Sequence, residues 1–386
     1  MQRMRRRHHL SLLKERLSQS PAVALLGPRQ CGKTTLARSL RGLYFDLEHE
    51  PDRLRLDLLW GELQEGRELL ILDEAQTWPA VFPRLRTAID RHRSRKGGFL
   101  LLGSVSPALM REVSESLAGR MSLIELTPFL FNEVKAASLN RLWRRGGFPD
   151  GGILGTGERR YPHWQRDYVT LLAQRDLPAW GLPAKPQVTL RLMRMLAALH
   201  AQVWNASQVG QSLGLSYHTV NSYVDFLEGA YLIRRLPPYA ANFGARLTKS
   251  PKVYWRDSGL LHSLLGALDD DSFLSQPWLG ASWEGFVIEQ VLGLFEQRGL
   301  SAGAYYLRTS DQREIDLVLD LGTRLWAIEI KLTSSPGPGD MEKLNRHADL
   351  IKADKRFLIS RTAISTSNGR QISCNLAGFA HAVGDL

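Results

Sequence analysis

A glycine-rich stretch near the amino terminus has the residue types and the spacing of a phosphate-binding loop. Gly27 is followed by four residues and then by Gly32, Lys33 and Thr34. Glycines let backbone amides turn towards an anion without a side-chain clash, a lysine here reaches the β- and γ-phosphates, and a threonine hydroxyl binds Mg²⁺. The predicted nucleotide-binding residues are Gly27, Pro28, Arg29, Gln30, Cys31, Gly32, Lys33, Thr34 and Thr35.

The segments on either side of this loop favour the same interpretation. The apolar run 22–26 predicts a buried strand, and the spacing of Leu36, Ala37 and Leu40 predicts a helix after the loop. A P-loop requires a strand, a loop and a helix in this order, because the helix amino terminus adds its positive dipole end to the phosphate site. An ordinary glycine-rich turn is the alternative.

A second apolar strand, 69–72, ends in two carboxylates, Asp73 and Glu74. In parallel α/β sheets, ligands bind at the carboxyl ends of the strands. We therefore expect Asp73 to hold Mg²⁺ opposite Thr34, and Glu74 to polarise the attacking water. In the alternative interpretation, this acidic pair only caps the next helix.

Two further polar residues are candidates for contact with the γ-phosphate. Ser104 follows a third apolar strand and would orient the attacking water, although a helix N-cap explains it equally well. Arg120 lies in a turn of small residues, where it would act as an arginine finger or would pair with a surface carboxylate. The sequence leaves both choices open, and with them the question of whether Arg120 acts within its own chain or across an interface.

Beyond this module, a glycine- and proline-rich linker with one packing helix precedes a predicted helix-turn-helix. Arg175 and Asp176 of the linker would form an ion pair. Of the three helices that follow, the first covers 190–199, Asn205 or Ser207 caps the second, and Ser216 caps the third. The strands predicted next are 230–239 and 251–257, which is the order of a winged helix-turn-helix.

A DNA-binding version of this segment would use its third helix in a major groove. The residues offered to bases and phosphates would be Tyr217, His218, Asn221, Ser222, Arg234, Arg235, Arg246 and Lys249. The third helix carries no Arg or Lys between Ser216 and Leu227, although base-edge readout usually relies on such residues. We therefore expect nucleic-acid contact of low specificity, or a protein partner instead.

The last part of the chain has the carboxylate spacing of a metal-dependent nuclease. An amphipathic helix over 282–299 is predicted to precede two antiparallel strands. Asp316, followed by Glu329 and Lys331, has the spacing with which nucleases of the restriction-endonuclease fold hold a metal ion and position a hydrolytic water. Glu284 would be a further ligand. A Glu–Lys pair on a solvated strand face is the alternative.

Length and composition limit the class of protein. The 386 residues, 44% of them hydrophobic, are enough for more than one core. The two cysteines are too few for a disulfide framework, and no run of about 18 apolar residues predicts a membrane span. The net charge of +11 favours contact with anionic partners such as nucleic acid. We expect a cytoplasmic protein.

These motifs together resemble a widespread prokaryotic ATPase family. The stretches that carry the resemblance, in order, are GPRQCGKTTLARSL, LLILDEAQ, LLGSVSPALM, ESLAGRMSLIELTPF, GGFPD, RDYVTLLAQRDL, KVYWRDSGLL and SWEGFVIEQVL. The resemblance implies ATP as the nucleotide and an α/β fold, in which an AAA-type P-loop NTPase domain precedes a C-terminal domain of unknown function. The implied parts are an ATPase domain at 1–145, a helical linker at 146–185, a winged helix-turn-helix at 186–262 and a restriction-endonuclease-like α/β domain at 263–386.

The leading functional prediction is an ATP-binding, Mg²⁺-dependent ATPase that acts as a nucleotide switch coupled to a C-terminal DNA- or protein-binding module. One alternative is an ATP-regulated, metal-dependent nuclease. A second alternative is a nucleotide-gated regulator that does not hydrolyse ATP. The sequence leaves the oligomeric state open.

Overall fold

Three β-sheets organise the part of the chain that the computed structural model describes. The described residues are 7–103, 117–154, 161–239, 249–266, 273–309 and 313–384.

The first sheet carries the predicted phosphate loop. Its five strands are parallel, and helices separate the first four of them along the chain, as in an α/β domain. Its elements are α1 His9–Gln19, β1 Ala22–Leu26, α2 Lys33–Ala37, β2 Leu43–Asp46, α3 Glu50–Glu65, β3 Leu70–Asp73, α4 Val81–Arg91, β4 Phe99–Gly103 and β5 Met121–Glu125, with a helical turn at Ala75–Thr77. The strand order is β2-β3-β4-β1-β5, and the predicted P-loop NTPase fold is confirmed.

The two faces of this sheet belong to different hydrophobic cores. Val23 and Leu25 of β1 share one continuous cluster with residues far along the chain, such as Tyr168 and Val220. The alternate residues of β1 pack with the apolar side of α4, including Phe82. Because successive strand residues point to opposite faces, one strand serves both cores. The first sheet and the helices beyond it are thus packed together.

A group of helices and a small antiparallel sheet follow. Asn205 caps helix α8, Ala206–Leu213, by accepting from the Gln208 amide at 3.2 Å. Ser216 caps helix α9, Tyr217–Gly229, by accepting from the Thr219 amide at 3.1 Å. Both caps agree with the sequence prediction, which had left Ser207 as a second candidate. The elements are α5 Leu139–Arg145, α6 His163–Leu171 with a π-helical continuation Leu172–Asp176 and a last turn Leu177–Ala179, α7 Pro186–Ala198, β6 Gln202–Val203, α8 Ala206–Leu213, α9 Tyr217–Gly229, β7 Ile233–Leu236, β8 Lys252–Trp255 and α10 Ser258–Leu264.

The last sheet is mixed and has six strands in the order β13-β14-β12-β11-β10-β9. Strands β10 and β11 are antiparallel, as the sequence predicted. Its elements are α11 Leu279–Gln297, β9 Gly303–Arg308, β10 Glu314–Asp320, β11 Leu325–Ile330, α12 Pro338–Leu350, β12 Lys355–Ile359, β13 Thr366–Ser367, β14 Gln371–Cys374 and α13 Leu376–Gly384.

Helix α11 differs from the sequence prediction. It was expected to be amphipathic, but it is buried on nearly all sides because it lies between the sheet and the helices α10 and α13. Its buried Glu289 is therefore paired inside the protein, with Arg234. No described helix, α11 included, combines the length and the apolarity that crossing a membrane requires.

Candidate functional site

The loop between β1 and α2 has glycine at two positions that other residues would strain. At Gly27 a Cβ atom would lie 2.3 Å from the carbonyl oxygen of Leu126. Gly32 has a φ of +103°, in the left-handed region that favours glycine. A backbone that turns in this way directs amide N–H groups to one side and forms a concave anion site. The loop therefore has the shape that the predicted phosphate site needs.

Lys33 and Thr34 begin α2 directly after this loop. Lys33 Nζ donates hydrogen bonds to the carbonyl oxygens of Gly27 at 3.0 Å and Pro28 at 2.9 Å. The Lys33 side chain is buried, so the loop itself supplies the oxygen atoms that stabilise its charge. The ammonium group is thereby held inside the loop, where phosphate oxygens would be its natural acceptors.

Asp73, at the carboxyl end of β3, faces Thr34. Thr34 Oγ1 donates to Asp73 Oδ2 at 2.6 Å, and Tyr44 Oη donates to the same oxygen at 2.7 Å. Burial and the hydrogen bond to Asp73 raise the pKa of Tyr44 well above its usual range, so the phenol remains a donor. The predicted metal-binding pair is therefore brought together, with a third residue that the sequence analysis missed. The sequence feature that could have identified Tyr44 is its phenol group on β2, the strand that pairs with β3.

Glu74 leaves the strand in an uncommon conformation. Its φ is +49°, in the left-handed region that non-glycine residues rarely adopt. Its carboxylate accepts from Gln76 Nε2 and makes no capping bond to the turn Ala75–Thr77. Burial raises the pKa of Glu74, and the nearby Lys33 opposes this effect. A carboxyl group with a raised pKa suits a proton acceptor better than a helix cap.

Of the other two residues predicted to contact the γ-phosphate, Arg120 is described and Ser104 is not. Ser104 lies outside the described residues, directly after β4. Arg120 binds Asp90 of α4 through Nε–Oδ1 at 2.8 Å and Nη2–Oδ2 at 2.9 Å. This hydrogen bonding raises the pKa of Arg120 and lowers the pKa of Asp90. Arg120 thus has the carboxylate partner that was the alternative to a role as an arginine finger.

Arg29 of the phosphate loop contacts helix α6 and the π-helical turn that continues it. Tyr168 Oη on α6 donates to the Arg29 carbonyl oxygen at 3.0 Å, and Arg29 Nη1 donates to Asp176 Oδ1 at 2.9 Å. Arg175 Nε donates to the same oxygen at 2.9 Å. The predicted Arg175–Asp176 pair is present. Its link to the loop was missed because Arg29 and Asp176 lie 147 residues apart.

A second unpredicted contact supports the loop from the amino-terminal side. Arg7 donates to the Cys31 carbonyl oxygen at 3.1 Å and to the Thr127 carbonyl oxygen at 2.6 Å. Its Nε donates to Glu133 Oε1 at 2.9 Å. Burial opposes the charge on Glu133, but the hydrogen bond with His9 and the charge of Arg7 lower its pKa to about 2. The ion pair with Glu133 orients Arg7, and Arg7 in turn holds the carbonyl group of Cys31 in the loop.

Comparisons with known proteins match the chain in three consecutive segments. Residues 19–135 match an AAA domain, residues 136–271 a domain of unknown function (DUF8612), and residues 279–376 a second domain of unknown function (DUF4143). Two proteins described as uncharacterized, Mb2031c of Mycobacterium bovis and Rv2008c of Mycobacterium tuberculosis, are each 38% identical over 372 residues, which cover 93% of this chain and 83% of each relative. The chain belongs to their family. It is an AAA-type P-loop ATPase with a C-terminal domain of unknown function.

Solved structures are less similar. A Walker-type ATPase of Pyrococcus abyssi, PABY2304, is 16% identical, and the similarity covers 67% of this chain and 95% of that chain with a TM-score of 0.48. AMPPCP-bound DnaA from Aquifex aeolicus is also 16% identical, with 56% and 86% covered and a TM-score of 0.28. Similarities at this level add no argument about function.

In this AAA-type ATPase, the carboxylates predicted as a nuclease site lie close together. Burial and the charges of Glu284 and Glu329 raise the pKa of Asp316 well above its ordinary value. Asp316 Oδ2 accepts from the Ile330 amide at 2.8 Å, which fixes its orientation. Lys331 Nζ lies 2.7 Å from Glu329 Oε1. The hairpin β10–β11 thus gathers the predicted residues on one side of the sheet.

A buried lysine that the sequence analysis missed enters this cluster. Lys252 Nζ, from β8, lies 3.0 Å from Glu284 Oε1 and 2.5 Å from Glu314 Oε1. Tyr254 Oη also donates to Glu284 Oε1, at 2.6 Å. Over the described ranges, no group of three or more His, Cys, Asp or Glu side chains is arranged to hold a metal ion. At these distances, Lys252 supplies positive charge to the carboxylates.

Two of the arginines predicted to contact DNA phosphates are engaged within the ATPase chain. Arg234 Nη2 donates to Glu289 Oε2 at 3.1 Å, and Arg235 Nε donates to Glu228 Oε2 at 2.7 Å. Arg246 lies outside the described residues. Asn221 Oδ1 accepts from the indole N–H of Trp204 at 2.9 Å. The remaining predicted contact residues are exposed, namely Tyr217, His218, Ser222 and Lys249.

Proposed function

We propose that this chain is an ATP-binding, Mg²⁺-dependent ATPase that acts as a nucleotide switch coupled to its C-terminal half. The observation that carries the proposal is the Thr34–Asp73 hydrogen bond of 2.6 Å directly beside the lysine-bearing loop. The hydroxyl and the carboxylate are hard oxygen ligands of the kind that Mg²⁺ prefers. The loop amides and Lys33 would hold the phosphates, and Glu74 would accept the proton of the attacking water. Mg²⁺ bound there would neutralise charge on the phosphates.

Arg256, whose side chain is 11% exposed, lies between the first sheet and helix α11 and supports the switch. Arg256, directly after β8, binds Glu125 at the end of β5 and donates to Glu289 Oε2 of α11 at 2.9 Å. Burial opposes the charge on Arg256, but the two carboxylates raise its pKa. Strand β5 pairs with β1, which leads into the phosphate loop. We propose that a shift of the loop on nucleotide binding reaches α11 through this arginine.

For the partner of the C-terminal half, the contacts favour a protein over nucleic acid. Arg234 and Arg235, which were predicted to contact DNA phosphates, already bind carboxylates of the chain. Nucleic-acid contact of low specificity remains the alternative that the experiment below decides. The nuclease alternative has less support as well, because Lys252 already occupies the carboxylate cluster and supplies positive charge there. The free thiols of Cys31 and Cys374 agree with a cytoplasmic location, which we propose as well.

The test is Mg²⁺-dependent phosphate release from ATP by wild type and Lys33→Ala, with and without duplex DNA at moderate salt. We expect turnover in wild type and loss of turnover in the variant, with exposed Lys14→Ala as the matched control. ATP binding without hydrolysis would favour the nucleotide-gated regulator, and absence of ATP binding would overturn the proposal. Stimulation by DNA would favour nucleic acid as the partner, and cleaved DNA on a gel would favour the nuclease.

The coupling has its own test. Amide hydrogen exchange in α11 should differ between protein bound to a non-hydrolysable ATP analogue and protein bound to ADP. Equal exchange in both states would contradict a switch and leave an ATPase whose C-terminal half acts independently.

A further inference from the structure

We propose that Arg175 contacts the γ-phosphate of ATP as an arginine supplied by the chain itself, an inference that rests on the ATPase function proposed above. In phosphoryl transfer, such an arginine stabilises the charge of the transition state and raises kcat by about 10³- to 10⁵-fold. The sequence suggested Arg120 for this role, but Asp90 binds Arg120 through both of its carboxylate oxygens.

Arg175 and the phosphate loop meet at one buried carboxylate oxygen. Asp176 Oδ1 accepts from Arg29 Nη1 at 2.9 Å and from Arg175 Nε at 2.9 Å. The Asp176 side chain is only 5% exposed. Two guanidinium charges against one carboxylate charge leave a net +1 on this cluster. An excess positive charge beside a loop that cradles phosphates attracts the terminal, most anionic phosphate.

Of the two arginines, Arg175 is the more exposed, since the Arg29 side chain is 32% exposed. Arg29 is held twice, at its carbonyl oxygen by Tyr168 Oη and at its guanidinium by Asp176. Arg175 is held through Nε alone, and its side chain is 60% exposed. Within the described part of the chain, its two Nη groups have no hydrogen-bond acceptor. Those nitrogens present the paired donors that phosphate oxygens accept.

The backbone that carries Arg175 has an unusual geometry. It belongs to the π-helical turn Leu172–Asp176, between α6 and the last turn Leu177–Ala179. Turns of this kind are rare and frequently occur at functional sites. Here the turn places Asp176 against Arg29 and leaves Arg175 exposed at the edge of the loop. A contact with the γ-phosphate would therefore connect the linker helix to ATP and not to ADP.

The experiment compares wild type, Arg175→Ala and Arg175→Lys, with Arg166→Ala as the matched control from the exposed side of α6. The Mg²⁺-dependent affinities of fluorescent ATP and ADP analogues, phosphate release and thermal denaturation are measured on the full chain. For Arg175→Ala we expect at least a roughly hundredfold lower kcat and a roughly tenfold weaker affinity for ATP, with the ADP affinity and melting temperature unchanged. Arg175→Lys keeps the charge and should recover part of the ATP affinity.

The outcomes separate this inference from the proposed function. If wild type hydrolyses ATP and Arg175→Ala matches it in turnover and in the ATP-to-ADP affinity ratio, only the inference is overturned. Equal losses of ADP and ATP affinity would assign Arg175 a structural role and overturn it as well. If wild type binds ATP without hydrolysing it, the ATP-to-ADP affinity ratio is the test: a lower ratio in Arg175→Ala than in wild type supports the inference, and an equal ratio overturns it. If wild type binds neither nucleotide, the proposed function fails together with the inference.

Discussion

Thr34 and Asp73, 39 residues apart in the sequence, are joined by a hydrogen bond of 2.6 Å. The contact arises because β1 and β3 are parallel strands on either side of β4, so that their carboxyl ends meet at one edge of the sheet. The same Asp73 oxygen also accepts from Tyr44. Two donors on one oxygen fix the orientation of the carboxylate, which prepares its second oxygen and the threonine hydroxyl for a cation.

The first prediction concerns the hydroxyl of Thr34. Thr34→Ala removes a ligand for Mg²⁺ and the donor to Asp73, so we expect at least a roughly tenfold loss of the Mg²⁺-dependent part of the ATP affinity. Affinity measured in EDTA should change little, because the loop amides and Lys33 remain. Thr34→Ser keeps the hydroxyl and serves as the control. An equal loss in EDTA would mean that the threonine only supports the fold of the loop.

The second prediction concerns Tyr44. Tyr44→Phe removes the donor to Asp73 but keeps the aromatic ring. Arg38 Cζ lies 4.3 Å from the centroid of that ring. A hydrogen bond to a charged group contributes about 1.5–3 kcal/mol, but Thr34 still orients the carboxylate. We therefore expect the concentration of Mg²⁺ that supports half-maximal turnover to rise by about three- to tenfold. Exposed Tyr217→Phe is the control, and an unchanged Mg²⁺ requirement would remove Tyr44 from the site.

The contacts that the sequence predicted are those encoded within short stretches of the chain. Gly27 and Lys33 are close in sequence, Asp73 ends a strand that its own apolar run identifies, and Ser216 caps the helix that begins at the next residue. Each depends on backbone geometry over a few residues, so spacing alone was sufficient. The antiparallel hairpin β10–β11 was predictable for the same reason.

The contacts that the sequence did not predict join residues from different segments. Arg29 and Asp176 are 147 residues apart, and Arg256 and Glu125 are 131 residues apart. Lys252 enters the carboxylate cluster from another sheet. A long charged side chain finds its partner only after the helices and sheets have packed, so no local pattern marks it. The same packing encloses α11, which had been predicted to be amphipathic.

The third prediction is a pH dependence that comes from Glu74. Burial raises its pKa above the ordinary 4.5, so the carboxylate needed to accept a proton forms at a higher pH than for an exposed glutamate. The value of kcat/KM, which reports the free enzyme, should therefore fall as the pH decreases through this raised pKa. Glu74→Gln should be slow at every pH and lack this acid limb. An acid limb of the same position in the variant would assign it to another group.

The fourth prediction concerns the stability of the junction at Arg256. Arg256→Ala leaves Glu125 and Glu289 without their shared partner. The three side chains are 8–19% exposed, and removing one partner of a buried ion pair costs up to about 3–5 kcal/mol of unfolding free energy. The matched control is Arg84→Ala, whose pair with Asp57 is 37% and 48% exposed and should contribute about 0–1 kcal/mol. Urea denaturation of both variants provides the comparison. Equal losses would mean that the junction is solvated in solution.

The two carboxylates at this junction should respond differently once Arg256 is removed. Glu289 keeps Arg234, so Glu125 would carry most of the unpaired charge. Glu125→Gln in the Arg256→Ala background should therefore recover part of the lost unfolding free energy, whereas Glu289→Gln in that background should lower it further, because Arg234 would then lose its own partner. If Glu289→Gln recovered unfolding free energy and Glu125→Gln did not, the unpaired charge would lie on α11 rather than at the end of β5. That result would contradict a connection from the first sheet to α11 through Glu125.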